Sequence, residues 1–267
     1  MNLPLSELAT LFERAQASQN AAMARAVAAN DPGSGATVLE LPRAIGVYLG
    51  EGHPLNQALA LGLGAPLDIT SLDAIVALLG RGGHPVVLEL TPGADSKLGQ
   101  QLACRGFFVR QFQQVWMRAV DDSIGKPSAG SFVLRVATAK EIPLFARLVM
   151  AGFTNQDELP PENGFLVLPP LAAEGTTAWI AWEGDRPVAG GTVGLSGEVA
   201  ALSSTAVLPA FRGRGLQRAL VQARLEAARA AGARMAVSAT VPASASAENL
   251  IRMGFRSAYP KVEMANG

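Results

Sequence analysis

The sequence predicts an α+β protein built from two domains of the same kind. Strand and helix patterns alternate up to residue 118, stop at a polar segment and begin again at residue 132. Both halves close in the same way, with an apolar strand, a proline, a helix and a Gly-Phe pair, at residues 106–107 and 254–255. We therefore expect a duplication with a period of about 150 residues. Two unrelated α+β halves that share this ending are the alternative.

The first half is expected to form a domain over residues 1–120, and it opens with apolar residues at helical steps of three and four. A run of valines and leucines before Thr91 has the composition of a buried strand. Thr70 or Ser71 is expected to cap a helix that ends at a glycine-rich turn. In chain order the predicted elements are helix 5–29, strands 37–41 and 45–49, helix 70–79, strand 86–90, helix 96–105 and strand 111–118.

Residues 121–130, rich in Asp, Ser, Gly, Lys and Pro, are expected to link the halves. In the second domain, 131–267, Thr138 and Glu141 have the spacing of a capping box. Residues 183–186 have the composition of a hairpin turn. The predicted elements are strand 132–136, helix 138–150, loop 172–176, strands 178–182, 187–193 and 199–207, helix 213–230, strand 234–240, helix 246–252, and a pair of strands from 255 onward around residues 258–260.

Composition and charge narrow the function classes. The chain has 22 Lys and Arg residues and 22 Asp and Glu residues. The sequence shows no basic stripe of the kind that would favour binding to nucleic acid. One cysteine, Cys104, and two histidines in turns supply no recognisable ligand set for a metal. No apolar run reaches the ~20 residues of a membrane span, and Glu7 and Glu13 argue against a signal peptide. We expect a cytoplasmic protein that binds no metal, nucleic acid or membrane.

The most informative segment joins the strand that ends at Val207 to the next helix, and its residues 212–217 read Arg-Gly-Arg-Gly-Leu-Gln. The two glycines lack Cβ atoms, so a pyrophosphate can approach the backbone closely. The first N–H groups of a helix have no partner within it, and the helix dipole adds partial positive charge there. The loop is therefore predicted to bind an anion, with Arg212, Arg214 and Arg218 as further donors.

A plain glycine turn and another kind of nucleotide site are the alternatives for this loop. No Gly-Lys-Ser/Thr follows, which excludes a P-loop, and the third glycine and later acidic residue of a dinucleotide fingerprint are missing. The helix that follows has an apolar stripe through Leu216 and Leu220, which favours packing on a sheet. Its Gln222, Arg224 and Arg229 are expected to face water, as is Arg218.

Residues 207–216 resemble the acetyl-CoA motif of the GNAT N-acetyltransferases, which is Arg or Gln, two residues, Gly, one residue and then Gly or Ala. Arg212 and Gly215 match that motif, and Gln217 departs from it at the last position. The resemblance covers about residues 132–264. It implies two GNAT-like domains, each a mixed, mostly antiparallel twisted sheet flanked by helices, and a transferase that takes acetyl-CoA as co-substrate.

The resemblance also implies which residues hold acetyl-CoA. In the family the backbone after the fourth strand pairs with the pantetheine arm, and here that backbone belongs to Ala206 and Val207. The loop amides hold the pyrophosphate, and here they are those of Arg212, Gly213, Arg214, Gly215, Leu216 and Gln217. Asn249, on a later helix, is a candidate contact to the arm or the phosphates, with a plain surface position as the alternative.

The catalytic residues are less clearly marked. The family commonly has a tyrosine four residues before the glycine of its Gly-Phe pair, as the general acid for the leaving thiolate, and this chain has Leu250 there. Tyr259 is a candidate substitute, with packing at a sheet edge as the alternative. Glu198, at the start of the strand that leads to the loop, is a candidate base, and so are Asp157 and Glu158. For each acid a solvated surface position is the alternative.

The first half resembles a degenerate copy of the same domain. Residues 59–64 lie where a cofactor loop should be, but no arginine precedes their glycines, and Asp68 follows with a carboxylate that would repel phosphate. We expect no CoA in this half. Its expected role is to pack on the second half and help shape the acceptor pocket.

Three functions are compatible with the sequence. The first is an acyl-CoA-dependent N-acyltransferase, with acetyl as the expected group, that acts on a primary amine of a small molecule, an amino acid or a peptide. The second is a non-catalytic acyl-CoA-binding sensor or scaffold, which the tyrosine missing at position 250 leaves open. The third is another phosphate-binding enzyme that shares a glycine-rich loop. The amine substrate is the expected partner, and a homodimer is compatible with the sequence.

Overall fold

The computed structural model describes residues 5–53, 55–125, 130–161 and 175–267. Residues 126–129 of the expected linker and residues 172–174 of the expected loop lie outside these ranges. Within them, no helix is both long enough and apolar enough to cross a membrane.

The chain divides into two compact units. The first comprises Met1–Trp116, Ala239–Ala247 and Ser257–Gly267, and the second comprises Met117–Ser238 and Glu248–Arg256. The predicted domain limits of 1–120 and 131–267 stay a prediction.

The first unit is a mixed sheet with helices on both faces. Its strands follow the order β1-β2-β3-β4-β11-β5, in which β3 and β4 are parallel while β1–β2, β2–β3 and β4–β11 are antiparallel. Ala58 packs with α2 and Leu59 packs with α1, and successive strand residues point to opposite faces, so these helices cover opposite faces. The elements are α1 (Leu5–Asn30), β1 (Thr37–Leu41), β2 (Ala44–Tyr48), β3 (Gln57–Leu59), α2 (Ile69–Leu79), β4 (Val86–Leu90), α3 (Ser96–Ala103), most of β5 (Phe108–Ala119) and β11 (Arg256–Asn266).

Two predictions for this unit are corrected, and one of its strands was not predicted. The helix cap is Asp68, whose carboxylate accepts hydrogen bonds from the Ser71 N–H at 2.8 Å and the Ser71 hydroxyl at 2.6 Å. The expected pair of strands after residue 255 is one strand, β11, since the fixed φ of Pro260 is compatible with an extended chain. The three-residue strand β3 is not predicted, because it is too short to show a period.

The second unit is also a mixed, mostly antiparallel sheet flanked by helices. Its described strands follow the order β10-β9-β8-β7-β6; β9 and β10 are parallel, and the β8–β9, β7–β8 and β6–β7 pairs are antiparallel. The predicted capping box of Thr138 and Glu141 is confirmed, and hydrogen bonds from Arg135 and Thr138 hold the pKa of Glu141 at about 2. The elements are β6 (Val133–Val136), α4 (Ile142–Phe153), β7 (Thr176–Glu183), β8 (Arg186–Ser196), β9 (Val199–Val207), α5 (Leu216–Ala230), most of β10 (Met235–Thr240) and most of α6 (Ala245–Arg252).

Two adjacent glycines in β8 let helices approach both faces of the second sheet. A Cβ on Gly190 would lie 2.8 Å from the ring of Phe145 in α4, and a Cβ on Gly191 would lie 2.6 Å from the guanidinium of Arg224 in α5. The prediction that Arg224 faces water is wrong, because its side chain is fully buried at 0% exposure. Gln222, predicted to face water too, is also buried.

Candidate functional site

The glycine-rich loop between β9 and α5 presents free backbone donors. The helix begins at Leu216 rather than at residue 213, because Gly213 and Gly215 have φ values of 75° and 79°, in the left-handed region. The N–H groups of residues 213–216 have no acceptor within the described ranges, and no side chain caps the helix. A Cβ on either glycine would meet no atom of the described residues within 4 Å. The loop is thus an open cradle of N–H groups at a helix N-terminus, which suits an anion.

At the end of β9 next to this loop, no described strand pairs with one side of the strand. The pairing of β9 with β10 covers residues 199–201, whereas β9 continues to Val207. The N–H of Leu208 donates to the Val188 carbonyl on β8 at 3.0 Å, and peptide groups alternate along a strand, so the N–H of Val207 points away from β8. The peptide group of Ala206 faces β8 by the same alternation. Of these two predicted contacts, only Val207 offers a donor on the open side.

Arg212 stabilises the loop, and its side chain is not free to bind a phosphate. Its guanidinium donates to Val207 O at 3.2 Å, to Asn155 Oδ1 at 2.6 Å and to Gly152 O at 2.9 Å. Its own N–H donates to the Pro209 carbonyl at 3.2 Å. Because all of these groups are engaged, the cradle begins at Gly213, and Arg212 fastens it to the last turn of α4.

The side chains of Arg214 and Arg218 differ in the partners that the described residues give them. Arg214 forms an ion pair with Glu183 at 2.8 Å and lies over the rings of Phe132, at 4.6 Å, and Phe211, at 5.3 Å. Arg218, in the first turn of α5, is exposed and has no hydrogen-bond or ion-pair partner in the part of the chain that the structure describes. Of the three arginines predicted as phosphate donors, Arg218 is the one whose side chain is available.

Two further predicted residues lie beside the loop. The Asn249 amide donates to Gln217 Oε1 at 2.6 Å, which joins α6 to the first turn of α5. The Asp157 carboxylate accepts the Ala210 N–H at 2.8 Å and thereby fixes the turn that precedes the loop. Asp157 thus has a structural task, and Glu158 beside it is exposed.

Residues 146–255, which run from α4 to the second Gly-Phe pair and include the loop, match the model of the acetyltransferase (GNAT) family. The chain carries a GNAT domain. Enzymes of this family are, in general, acyl-CoA-dependent N-acetyltransferases that act on amines. Among curated protein sequences, none matches this chain.

Solved structures with the same fold cover nearly the whole chain. A GCN5-related N-acetyltransferase from Kribbella flavida has a TM-score of 0.61 at 15% identity, over 91% of this chain and 95% of that one. One from Sphaerobacter thermophilus has a TM-score of 0.59 at 14% identity, over 94% and 93%. A tandem GNAT protein from the clavulanic acid biosynthesis pathway has a TM-score of 0.58 at 14% identity, over 98% and 96%. Identities this low show the fold alone, and the predicted tandem GNAT fold is confirmed.

Glu198 lies far from the cradle of the GNAT domain. It directly precedes β9 and pairs with Arg234 at 2.9 Å. Nine residues at ~3.3 Å each put it on the order of 30 Å from Val207, at the other end of the strand. A base must reach the amine within hydrogen-bond distance or through one water, so this position does not support Glu198 as the base.

Tyr259 belongs to the first unit and is buried there at 4% exposure. Its hydroxyl donates to Glu13 Oε1 at 2.7 Å, and burial together with the Glu13 charge raises its pKa. A hydroxyl that is buried and bound in this way is poorly suited to protonate a thiolate. Leu250, at the family's tyrosine position, is itself buried at 2% exposure.

Among the described residues, no group of three or more His, Cys, Asp or Glu could hold a metal ion.

Replacing Tyr259 with phenylalanine is expected to lower the free energy of unfolding by about 1–2 kcal/mol and to leave kcat for acetyl transfer within about twofold. The change removes a buried hydrogen bond and leaves the Glu13 carboxylate without that donor. Urea denaturation and initial rates measure the two quantities. A tenfold or greater fall in kcat at unchanged stability would restore Tyr259 as the general acid.

Proposed function

We propose that this chain is an acyl-CoA-dependent N-acyltransferase that transfers an acetyl group to a primary amine of a small molecule, an amino acid or a peptide. The observation that carries this proposal is the cradle of free N–H groups of residues 213–216, beside the open side of β9. An anion site and an open strand side together fit a long substrate with a phosphate end and an amide-containing arm.

The cradle takes the pyrophosphate of acetyl-CoA. Its N–H groups donate to phosphate oxygens, and the dipole of α5 favours negative charge at this end of the helix. Arg218 adds a charge-assisted donor from the first turn. Gly213 and Gly215 supply the left-handed backbone that turns these N–H groups outward without a Cβ in the way.

The pantetheine arm follows the open side of β9 and brings the thioester carbonyl to Val207. The amine nitrogen attacks this carbon, the new C–N bond forms, the C–S bond breaks, and the thiolate takes up a proton as free CoA. The amine gives up its proton to solvent or to a base. The Val207 N–H donates to the oxygen that gains negative charge during the attack, and the enzyme gains mostly by positioning the two reactants.

The first unit is proposed to bind no CoA. Its α2 follows a loop in which Gly62 and Gly64 are left-handed, with φ values of 65° and 76°. The N-terminus of α2 already holds an anion, because Asp68 accepts the N–H and hydroxyl of Ser71. These hydrogen bonds hold the pKa of Asp68 below its usual value, so its charge persists and opposes a phosphate.

A second candidate function is CoA binding without transfer. It is favoured by one observation: neither Glu198, at the far end of β9, nor the buried Leu250 supplies a proton-transfer group at Val207. A sensor or scaffold needs the cradle and the open strand side but no acid or base.

A thiol-release assay separates these functions. The purified protein is incubated with acetyl-CoA and a panel of small amines, amino acids and peptides, and free CoA is titrated with a thiol reagent. Release that depends on one class of amine supports the transferase. Binding of acetyl-CoA without amine-dependent release supports the sensor, and the absence of binding contradicts both.

A further inference from the structure

Arg224 is a buried cation on α5 that the proposed chemistry leaves unused. Its guanidinium donates to Thr192 O at 2.9 Å, Ser203 O at 3.2 Å and Thr205 Oγ1 at 2.8 Å, and to Leu220 O of its own helix at 3.0 Å. No carboxylate among the described residues pairs with it. Arginine is rarely buried without such a partner, and its acceptors outside α5 all lie on β8 and β9 around one irregularity.

That irregularity is a one-residue bulge in β9. Thr192 is opposite Ser203 and Gly190 is opposite Ala206, so two residues of β9, at 204 and 205, face the single residue Gly191. Ser204 has a φ of 51°, in the left-handed region. A bulge of this kind takes backbone groups out of the hydrogen-bond ladder and reverses the alternation of the strand.

The bulge determines which way the Val207 amide points. Before it, the Leu202 carbonyl accepts a hydrogen bond from Ser238 Oγ on β10, so even-numbered peptide groups face β10. After it, the Leu208 N–H donates to Val188 on β8, so even-numbered groups face β8. Without the extra residue, the Val207 N–H would face β8 and be lost to the open side.

The guanidinium of Arg224 fits this bulge. It bonds Ser203 O and Thr205 Oγ1 on either side of the extra residue, and Thr192 O across from it. Gly191 leaves room, since a Cβ there would lie 2.6 Å from Nη1. Burial lowers the pKa of Arg224 to about 9, so the side chain keeps all its donors at neutral pH.

We propose that Arg224 is a positioning residue that holds the bulge in β9 and thereby keeps the Val207 amide turned toward the reacting thioester. The part of this inference that concerns the reaction rests on the proposed acyltransferase function. The part that concerns the direction of the amide stands on the strand register and the hydrogen bonds.

The first test replaces Arg224 with methionine, which keeps an unbranched apolar stem and removes the guanidinium donors. We expect kcat to fall by about tenfold or more, because the carbonyl loses an oriented donor. The dissociation constant of CoA itself should stay within about twofold, since the cradle is intact. The matched control is Arg229→Met on the same helix, because Arg229 is 51% exposed and pairs with the exposed Asp122. This variant should leave kcat and the dissociation constant of CoA unchanged.

The second test is independent of activity and uses amide hydrogen exchange followed by NMR. In the wild type, Leu208 should be protected and Val207 should exchange freely. This contrast should disappear in Arg224→Met and weaken in Thr205→Val, which removes one acceptor at nearly constant volume and keeps the arginine. Thr205→Val therefore tests the idea even where the methionine variant does not fold.

The proposal would be overturned if both variants had the kcat of the wild type and an unchanged exchange contrast. An equal loss of kcat and of CoA binding in Arg224→Met would also overturn it, because it would indicate a general structural role. If the wild type transfers no acetyl group, the proposed function fails, and the exchange contrast alone decides the role of Arg224: its loss supports the inference and its persistence overturns it.

Discussion

Replacing Gly215 with glutamate is expected to weaken acetyl-CoA binding by at least about 100-fold. Gly215 has a φ of 79°, and an L-residue held there is strained by roughly 1–2 kcal/mol. The new carboxylate would lie at the N-terminus of α5, in the space that the pyrophosphate requires, and would repel it. Isothermal titration with acetyl-CoA measures the change directly.

The same substitution at Gly64 is the matched control. Gly64 has a φ of 76°, so glutamate carries a similar backbone strain there, and it too lies before a helix. Acetyl-CoA binding should remain within about twofold of the wild type, because Asp68 already keeps anions from that helix end. Equal losses from both variants would mean that the first unit takes part in binding.

Replacing Lys261 with methionine is expected to lower the free energy of unfolding by about 3–5 kcal/mol. Lys261 is buried in the first unit, where its ammonium lies 2.9 Å from Glu89, 3.5 Å from Glu13 and 2.8 Å from Gln16 Oε1. The side chains of Glu13 and Glu89 are only 0% and 6% exposed. Without the lysine, two carboxylates would remain buried with no cation between them.

Urea denaturation at neutral pH measures this loss. The triple variant Glu13→Gln, Glu89→Gln and Lys261→Met should recover most of it, because removing every charge avoids the desolvation cost. Arg252→Met, which breaks an exposed ion pair with Glu248, is the control and should change stability by less than about 1 kcal/mol. A loss below about 1 kcal/mol for Lys261→Met would show that the buried cluster does not stabilise the first unit.

The sequence predicts most helices and strands because their signals are local. The strand 199–207 agrees with β9 at both ends, and the capping box at Thr138 predicts where the next helical segment begins. The start of α5 is predicted three residues early, because the left-handed glycines that make the loop an anion cradle also keep it out of the helix. The loop motif is likewise local, and it predicts the cradle residues.

The side-chain roles depend on residues that are distant in the chain, and there the sequence is less informative. Tyr259 bonds Glu13, and Arg212 bonds Asn155, and no spacing in the sequence indicates either contact. For two residues, however, the sequence did hold a signal. The predicted length of β9 already separates Glu198 from the loop, and Arg224 follows Leu220 by four residues, which puts both on the same face of α5.

Calorimetric titration of the purified protein with acetyl-CoA tests the central claim most directly. The account predicts one site per chain, with a dissociation constant on the order of micromolar, which is lost in Gly215→Glu and kept in Gly64→Glu. The absence of any binding to the wild-type protein would contradict the assignment of residues 213–216 as a pyrophosphate cradle. Two sites per chain would contradict the proposal that the first unit binds no CoA.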